Sequence, residues 1–172
     1  GGVGKTTLAL DLYGQISHRF DASCFIDDVS KICRLHDGPL EAQKQILFQT
    51  LGIEHHQICN RYSATYLIRR RLCHERALVI FDNVDQVEQL EKIAMHREWF
   101  GAGSRIIIIS RDEHILKEYG VDEVYRVPLL NWAESHKLFC QKAFKHEKII
   151  SSNYQNLANE ILNYAEGLPL AL

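Results

Sequence analysis

The sequence has little proline, almost no methionine and no dominant charge of one sign. Three prolines and ten glycines in 172 residues exclude collagen-like and low-complexity chains. Twenty Lys and Arg stand against 22 Asp and Glu, leaving a net charge of −2. That balance supplies neither the basic surface of a default nucleic-acid-binding module nor an acidic disordered tail. Long apolar runs are missing too. Stretches such as Ala77 to Phe81 fall far short of the roughly 20 residues that a membrane span needs. The five cysteines (Cys24, Cys33, Cys59, Cys73, Cys140) are odd in number and hold no CxxC pair. A reduced intracellular protein fits them better than a disulfide framework. His55, His56 and Cys59 lie close together, but a fourth ligand and finger spacing are missing, so a polar loop outweighs a metal site.

What is present is ordinary in amount, with 46% hydrophobic and 24% charged residues, enough for one core without staples. The chain opens on GGVGKTTLAL and closes on GLPLAL, with neither a start methionine nor a processing signal. The expectation is a piece of a longer chain, poorly stable alone and weak in binding ADP.

Short β-rich runs alternate with amphipathic segments. Leu8, Leu12 and Ile16, with Ala9 and Tyr13 beside them, predict a helix ending near Arg19. Ala22 to Val29 reads as a strand. Gly38-Pro39 starts a helix carrying Leu40, Ile46, Leu47 and Leu51, with Gly52 as its stop. A polar loop over 54–60 precedes a helix from Tyr66 to Cys73, on which Arg69, Arg70 and Arg71 read as a solvated face. Ala77 to Phe81 (ALVIF) suits a strand covered on both faces, followed by a short helix from Val87 to Ala94. After the Gly101-to-Ser104 turn, RIIIIS over 105–110 is a second such strand. Asp112 caps a helix through Tyr119, and Gly120 closes it. Glu123 to Val127 reads as a last strand.

Beyond Pro128 only helices are expected. Asn131 and Glu134 form a capping pair for a helix through Phe144, with Leu138, Phe139 and Phe144 on its apolar side. Ser152 to Glu166 is another helix, with Leu157, Ile161 and Ala165 in register. The fold class is therefore α/β, a parallel sheet flanked by helices through right-handed crossovers, followed by part of an all-helical subdomain. In such sheets ligands bind beyond the carboxyl ends of the strands. Gly1 to Thr7, Asp82 to Asp85 and Ser110-Arg111 are all placed there.

GGVGKTT matches the latter part of the phosphate-binding loop GxxxxGK[ST]. The first Gly of that motif and the strand feeding the loop would precede residue 1. Gly1, Gly2, Val3 and Gly4 offer backbone amides to the β-phosphate, because small residues permit close approach. Lys5 pairs with the β- and γ-phosphates, Thr6 is a Mg²⁺ ligand, and Thr7 sits in the first helical turn, whose dipole favours anions. LVIFDNVD supplies the partner strand, with Asp82 on the Mg²⁺ side. Arg111, at the end of the RIIII strand, is placed to report a terminal phosphate; a plain pair with Asp112 is the blander account.

The order GGVGKTT, FDASCFIDDVS, ALVIFDNVD, GSRIIIISRDEHIL, VYRVPLLNWAESHKLFCQKAF and GLPLAL resembles the NB-ARC domain of plant disease-resistance proteins over the whole chain. Asp85 and the FDASCFIDDVS block resemble the subgroup with an N-terminal TIR domain. The resemblance implies a P-loop NTPase subdomain over 1–128, lacking its first strand, and an ARC1-type helical subdomain over 129–172, truncated at its end. It implies an ADP/ATP switch acting in defence signalling. Partners would be TIR and leucine-rich-repeat domains and further copies of the protein. The compartment would be the cytoplasm, with the nucleus left open, and no direct contact with nucleic acid is expected. Arg111 matches the family's phosphate-sensing Arg. Pro169 matches a residue packing near base and ribose, although a plain helix-start Pro remains the alternative. Many relatives have two consecutive Asp where this sequence has Asp82-Asn83. An amide cannot accept a proton from water, so slow hydrolysis is expected. The rivals are a small-molecule P-loop kinase, for which no Arg-rich lid is visible, and a scaffold with purely structural nucleotide. A GTPase lacks its NKxD-like segment and a transporter ATPase its LSGGQ-type signature.

Overall fold

Ala77 to Phe81 becomes the centre of a three-stranded parallel sheet. The computed structural model describes residues 1–54, 58–93, 96–143 and 155–172. The strands are β1 (Ala22–Ile26), β2 (Ala77–Val84) and β3 (Arg105–Ser110), in the order β1-β2-β3. Helices connect them: α1 (Lys5–Ile16) before β1, then α2 (Val29–Cys33), α3 (Gly38–Leu51) and α4 (Arg61–Leu72) before β2. α5 (Val87–Ile93) leads to β3, and α6 (Glu113–Tyr119), α7 (Trp132–Ala143) and α8 (Gln155–Ala165) follow.

The alternation of β2 divides two apolar layers. Ala77, Val79 and Phe81 pack with Val29 of α2, Ile46 of α3, Ile68 of α4 and Leu90 of α5. Leu78 and Ile80 face the other way, with Ala9 of α1 and Ile109 of β3. All five side chains of the run are fully buried, and the four larger ones, Leu78 to Phe81, are each worth roughly 1.5–3 kcal/mol. Burial on both faces is what an uninterrupted apolar strand requires, and it fixes β2 as the anchor of the site.

By its contacts the chain divides into two units, one of Thr6–Val124 and one of Gly1–Lys5 with Tyr125–Leu172. In the second, Asn131 Oδ1 accepts from the Glu134 N–H at 3.0 Å, and a Glu134 carboxylate oxygen accepts from the Asn131 N–H at 2.9 Å. This is the expected capping pair. The Leu130 N–H donates to the carbonyl of Gly167 at 2.9 Å.

Several boundaries differ from the sequence reading. β1 stops at Ile26, because Asp28 takes a left-handed φ of 47° and its carboxylate accepts from the Lys31 N–H, so Val29 opens a helix. α4 starts at Arg61, ahead of Tyr66, because Asn60 and Ser63 form a reciprocal capping box. Residues 123–127 form no strand; Val124 and Tyr125 are 37% and 73% exposed, so no buried face rewards pairing. Two helix faces are also displaced. In α1, Leu8 and Leu12 are exposed while Ala9, Tyr13 and Ile16 pack against the sheet. In α8, Leu157 is exposed while Ala158, Leu162 and Ala165 are buried. A strict spacing of four drifts off one face of a helix with 3.6 residues per turn; alternating four and three holds it. Phe144 and 152–154, placed in helices by the sequence reading, lie outside the described residues, as do Ala94, His55 and His56.

Candidate functional site

The site begins where β2 ends. Between Phe81 and Val84 the β2–β3 register shifts: Phe81 pairs with Ile108 and Val84 with Ser110, so Asp82 and Asn83 together oppose Ile109. This bulge re-aims two consecutive side chains. Asn83 accommodates it with φ 53°, a left-handed conformation that Asn adopts more readily than most residues.

Asp82 keeps to the α1 side. The hydroxyl of Thr6 lies 2.9 and 3.1 Å from the two oxygens of its carboxylate, and Asp82 is only 5% exposed. A buried carboxylate demands a partner, and Thr6 in the first turn of α1 is that partner. Thr7, next in the same turn, is exposed. Both Thr6 and Asp82 offer oxygen, the donor type that hard divalent cations such as Mg²⁺ select. Among the described residues, no group of three His, Cys, Asp or Glu side chains could hold a metal by itself.

Asn83 turns to α2. Its side-chain amide donates to Asp28 Oδ1 at 2.8 Å. Two residues on, Asp85 gathers the Ser30 hydroxyl at 2.6 Å, Arg34 Nη2 at 2.9 Å and the Gln89 side-chain amide. The Ser30 hydrogen bond leads in holding the Asp85 carboxyl below its ordinary range; partial burial opposes it, and Gln89 and Arg34 reinforce it. Ser30, Arg34 and Asp85 border a cavity of about 460 Å³ whose lining also includes Asp28, Asn83, Ser110 and Arg111. Arg111 is exposed there. Asp112 is engaged as the N-cap of α6, accepting from the His114 N–H at 2.9 Å.

In the other unit, Gly2 and Gly4 hold φ values of 85° and 91°, conformations open to glycine and strained for other residues. Gly1 and Val3 lie outside any helix, and Lys5 is the first residue of α1. Pro169 opens a 3₁₀ turn, Pro169–Ala171, and the N–H of the next residue, Leu170, donates to the Gly2 carbonyl at 3.2 Å. The glycine-rich loop and the GLPLAL segment are thus joined directly.

Arg69, Arg70 and Arg71 are exposed on α4, and Arg70 donates to the Tyr66 hydroxyl at 2.9 Å, as a solvated face would. Asp28, Ser30 and Arg34 were not singled out by the sequence reading. The signal for Asp28 was the paired acids after an apolar strand, in FIDDV.

The family description "NB-ARC domain" matches residues 1–149. The chain belongs to the NB-ARC family. An NB-ARC domain is a nucleotide-binding domain, and the three parallel strands flanked by helices agree with its P-loop NTPase fold. Relatives of this NB-ARC chain are named as resistance proteins. It is 36% identical over 173 residues to disease resistance protein RUN1 of Vitis rotundifolia, covering 100% of this chain and 13% of that protein. It is 37% identical over 176 residues to disease resistance protein RPV1 of Vitis rotundifolia, covering 100% and 12%. It is 36% identical over 179 residues to TMV resistance protein N of Nicotiana glutinosa, covering 100% and 15%. The NB-ARC chain therefore spans a small part of the relatives it matches. Among the described residues, no helix is long and apolar enough to cross a membrane.

Proposed function

We propose that this NB-ARC chain is the nucleotide switch of a plant immune receptor of the TIR-type subgroup, closed with ADP and opened by exchange for ATP. The observation that carries the reading is the Thr6–Asp82 contact, which joins the end of the glycine-rich loop to the end of the central strand across 76 positions. In this reading residues 1–128 are the nucleotide-binding subdomain and 129–172 the ARC1-type helical subdomain. Gly1, Gly2, Val3 and Gly4 cradle the phosphates with backbone amides, Lys5 pairs with the β- and γ-phosphates, and Thr7 lies beside them in the first turn. Thr6 and Asp82 hold Mg²⁺, Asp82 through water; the ion supplies charge neutralisation to the phosphates when bound. Arg111 senses the terminal phosphate, and Pro169 sets a rigid, donor-free surface against base and ribose.

TIR and leucine-rich-repeat domains, self-association and a cytoplasmic setting complete the proposal. Hydrolysis is slow and serves to reset the switch. The small-molecule kinase reading is not favoured, since the family matched and the names of the relatives point to resistance proteins. ADP binding by the purified protein tests this. Lys5→Ala should weaken it by roughly tenfold or more. Asp82→Asn should remove its Mg²⁺ dependence while keeping the Thr6 hydrogen bond. Equal ADP affinity in wild type and Lys5→Ala would sink the reading.

A further inference from the structure

Position 83 carries an amide beside the buried Asp82. A water that attacks a phosphate must give up a proton, and an amide is no base. The structure joins that amide to a carboxylate from another strand end. Asn83 Nδ2 donates to Asp28 Oδ1 at 2.8 Å, and both residues line the same cavity as Arg111. Both also hold left-handed backbone, φ 47° at Asp28 and φ 53° at Asn83, which Asp and Asn tolerate better than most side chains. Asp28 Oδ1 accepts from the Lys31 N–H as well, at 3.3 Å. Among the described residues no donor meets Oδ2, so that oxygen keeps its acceptor capacity while Oδ1 fixes its orientation.

We propose that Asp28 is the carboxylate that takes the proton from the attacking water in nucleoside-triphosphate hydrolysis, with Asn83 holding it in place. The proposal rests on the nucleotide-switch reading above. The water oxygen bonds to the γ-phosphorus. The bond from that phosphorus to the β–γ bridging oxygen breaks, and its electron pair leaves with the diphosphate. The water proton passes to Asp28 and from there to the released phosphate. The acid absent at position 83 is thus supplied from the end of β1, through a hydrogen bond that spans 55 positions.

Asp28 is also the N-cap of α2, which is a purely structural role. Substitution by Asn separates the two, because Asn caps helices as well as Asp does and tolerates the same φ. Three variants are compared in the purified protein by ADP affinity, melting temperature and phosphate release from ATP. Asp28→Asn should lower kcat by about a hundredfold while KM, ADP affinity and melting temperature stay near wild type. The exchange Asp28→Asn with Asn83→Asp restores one carboxylate to the pair, with its hydrogen bond reversed, and should recover most of the turnover. Turnover in Asp28→Asn within twofold of wild type overturns the proposal. So does an exchange variant as slow as Asp28→Asn, or a wild type that binds ADP yet releases no phosphate. Failure of the wild type to bind ADP would instead remove the switch reading, and this proposal with it.

Discussion

The backbone N–H of Leu170 donates to the carbonyl of Gly2, and the Leu170 side chain lies directly over the Gly2 α-carbon. A β-carbon at Gly2 would stand 2.7 Å from Leu170 Cβ and 3.0 Å from its Cδ2. At Gly4, two residues on, a β-carbon would meet nothing within 4 Å. The two glycines share a left-handed backbone and differ in what covers them.

Alanine separates the two effects. Gly4→Ala should cost only the conformational penalty, about 1–2 kcal/mol. Gly2→Ala should cost more, because the loop must also move off Leu170, and its melting temperature should lie below that of Gly4→Ala. Equal melting temperatures would show that Leu170 does not press on the loop.

Asp85 gives the fold a pH-dependent element. Its carboxyl is held below the ordinary range, first by the Ser30 hydrogen bond. A depressed carboxylate stabilises the fold above its unfolded pKa of about 3.9, and that contribution is lost as pH falls through the folded value. Asp85→Asn should therefore melt below wild type at neutral pH, and the gap should close in acid. The effect is modest, since the Arg34 and Asp85 side chains are 75% and 43% exposed. A gap that widens in acid would contradict this account.

The thiols should react in order of exposure. Cys24 is fully buried in β1, and burial pushes its thiol up to about 12. Cys59 is exposed. Because the thiolate is the reacting form, a maleimide or aromatic disulfide should modify Cys59 rapidly in the native protein and Cys24 only on unfolding. Native-state mass mapping checks this; early labelling of Cys24 would mean that β1 opens.

Much of this was legible in the residues, and the exceptions share a cause. ALVIF and RIIIIS announced strands because burial on both faces leaves an unbroken apolar run. Asp112 and Gly120 announced the two ends of α6 because caps are local chemistry. The expected faces of α1 and α8 hold in part: Ala9, Tyr13, Ile16 and Ala165 pack inward, whereas Leu8, Leu12 and Leu157 are exposed, because Leu outweighs Ala in an apolar pattern while the helical period selects Ala9 and Ala158. Asp28 was hidden for another reason. Its capping of α2 is local, through the Lys31 N–H, but its partnership with Asn83 depends on a residue 55 positions away. Thr6 and Asp82 could be paired only because two motifs were recognised at once.

The bulge at the tip of β2 has a mechanical consequence. In a regular strand, neighbours look to opposite faces and each answers only to its own layer. Here Asp82 is fastened to the first turn of α1 and Asn83 to the cap of α2, so helices on opposite sides of the sheet are tethered to adjacent residues. Thr6 and Asp28 are linked by two side-chain hydrogen bonds with a single peptide bond between them, a route that does not cross the apolar interior.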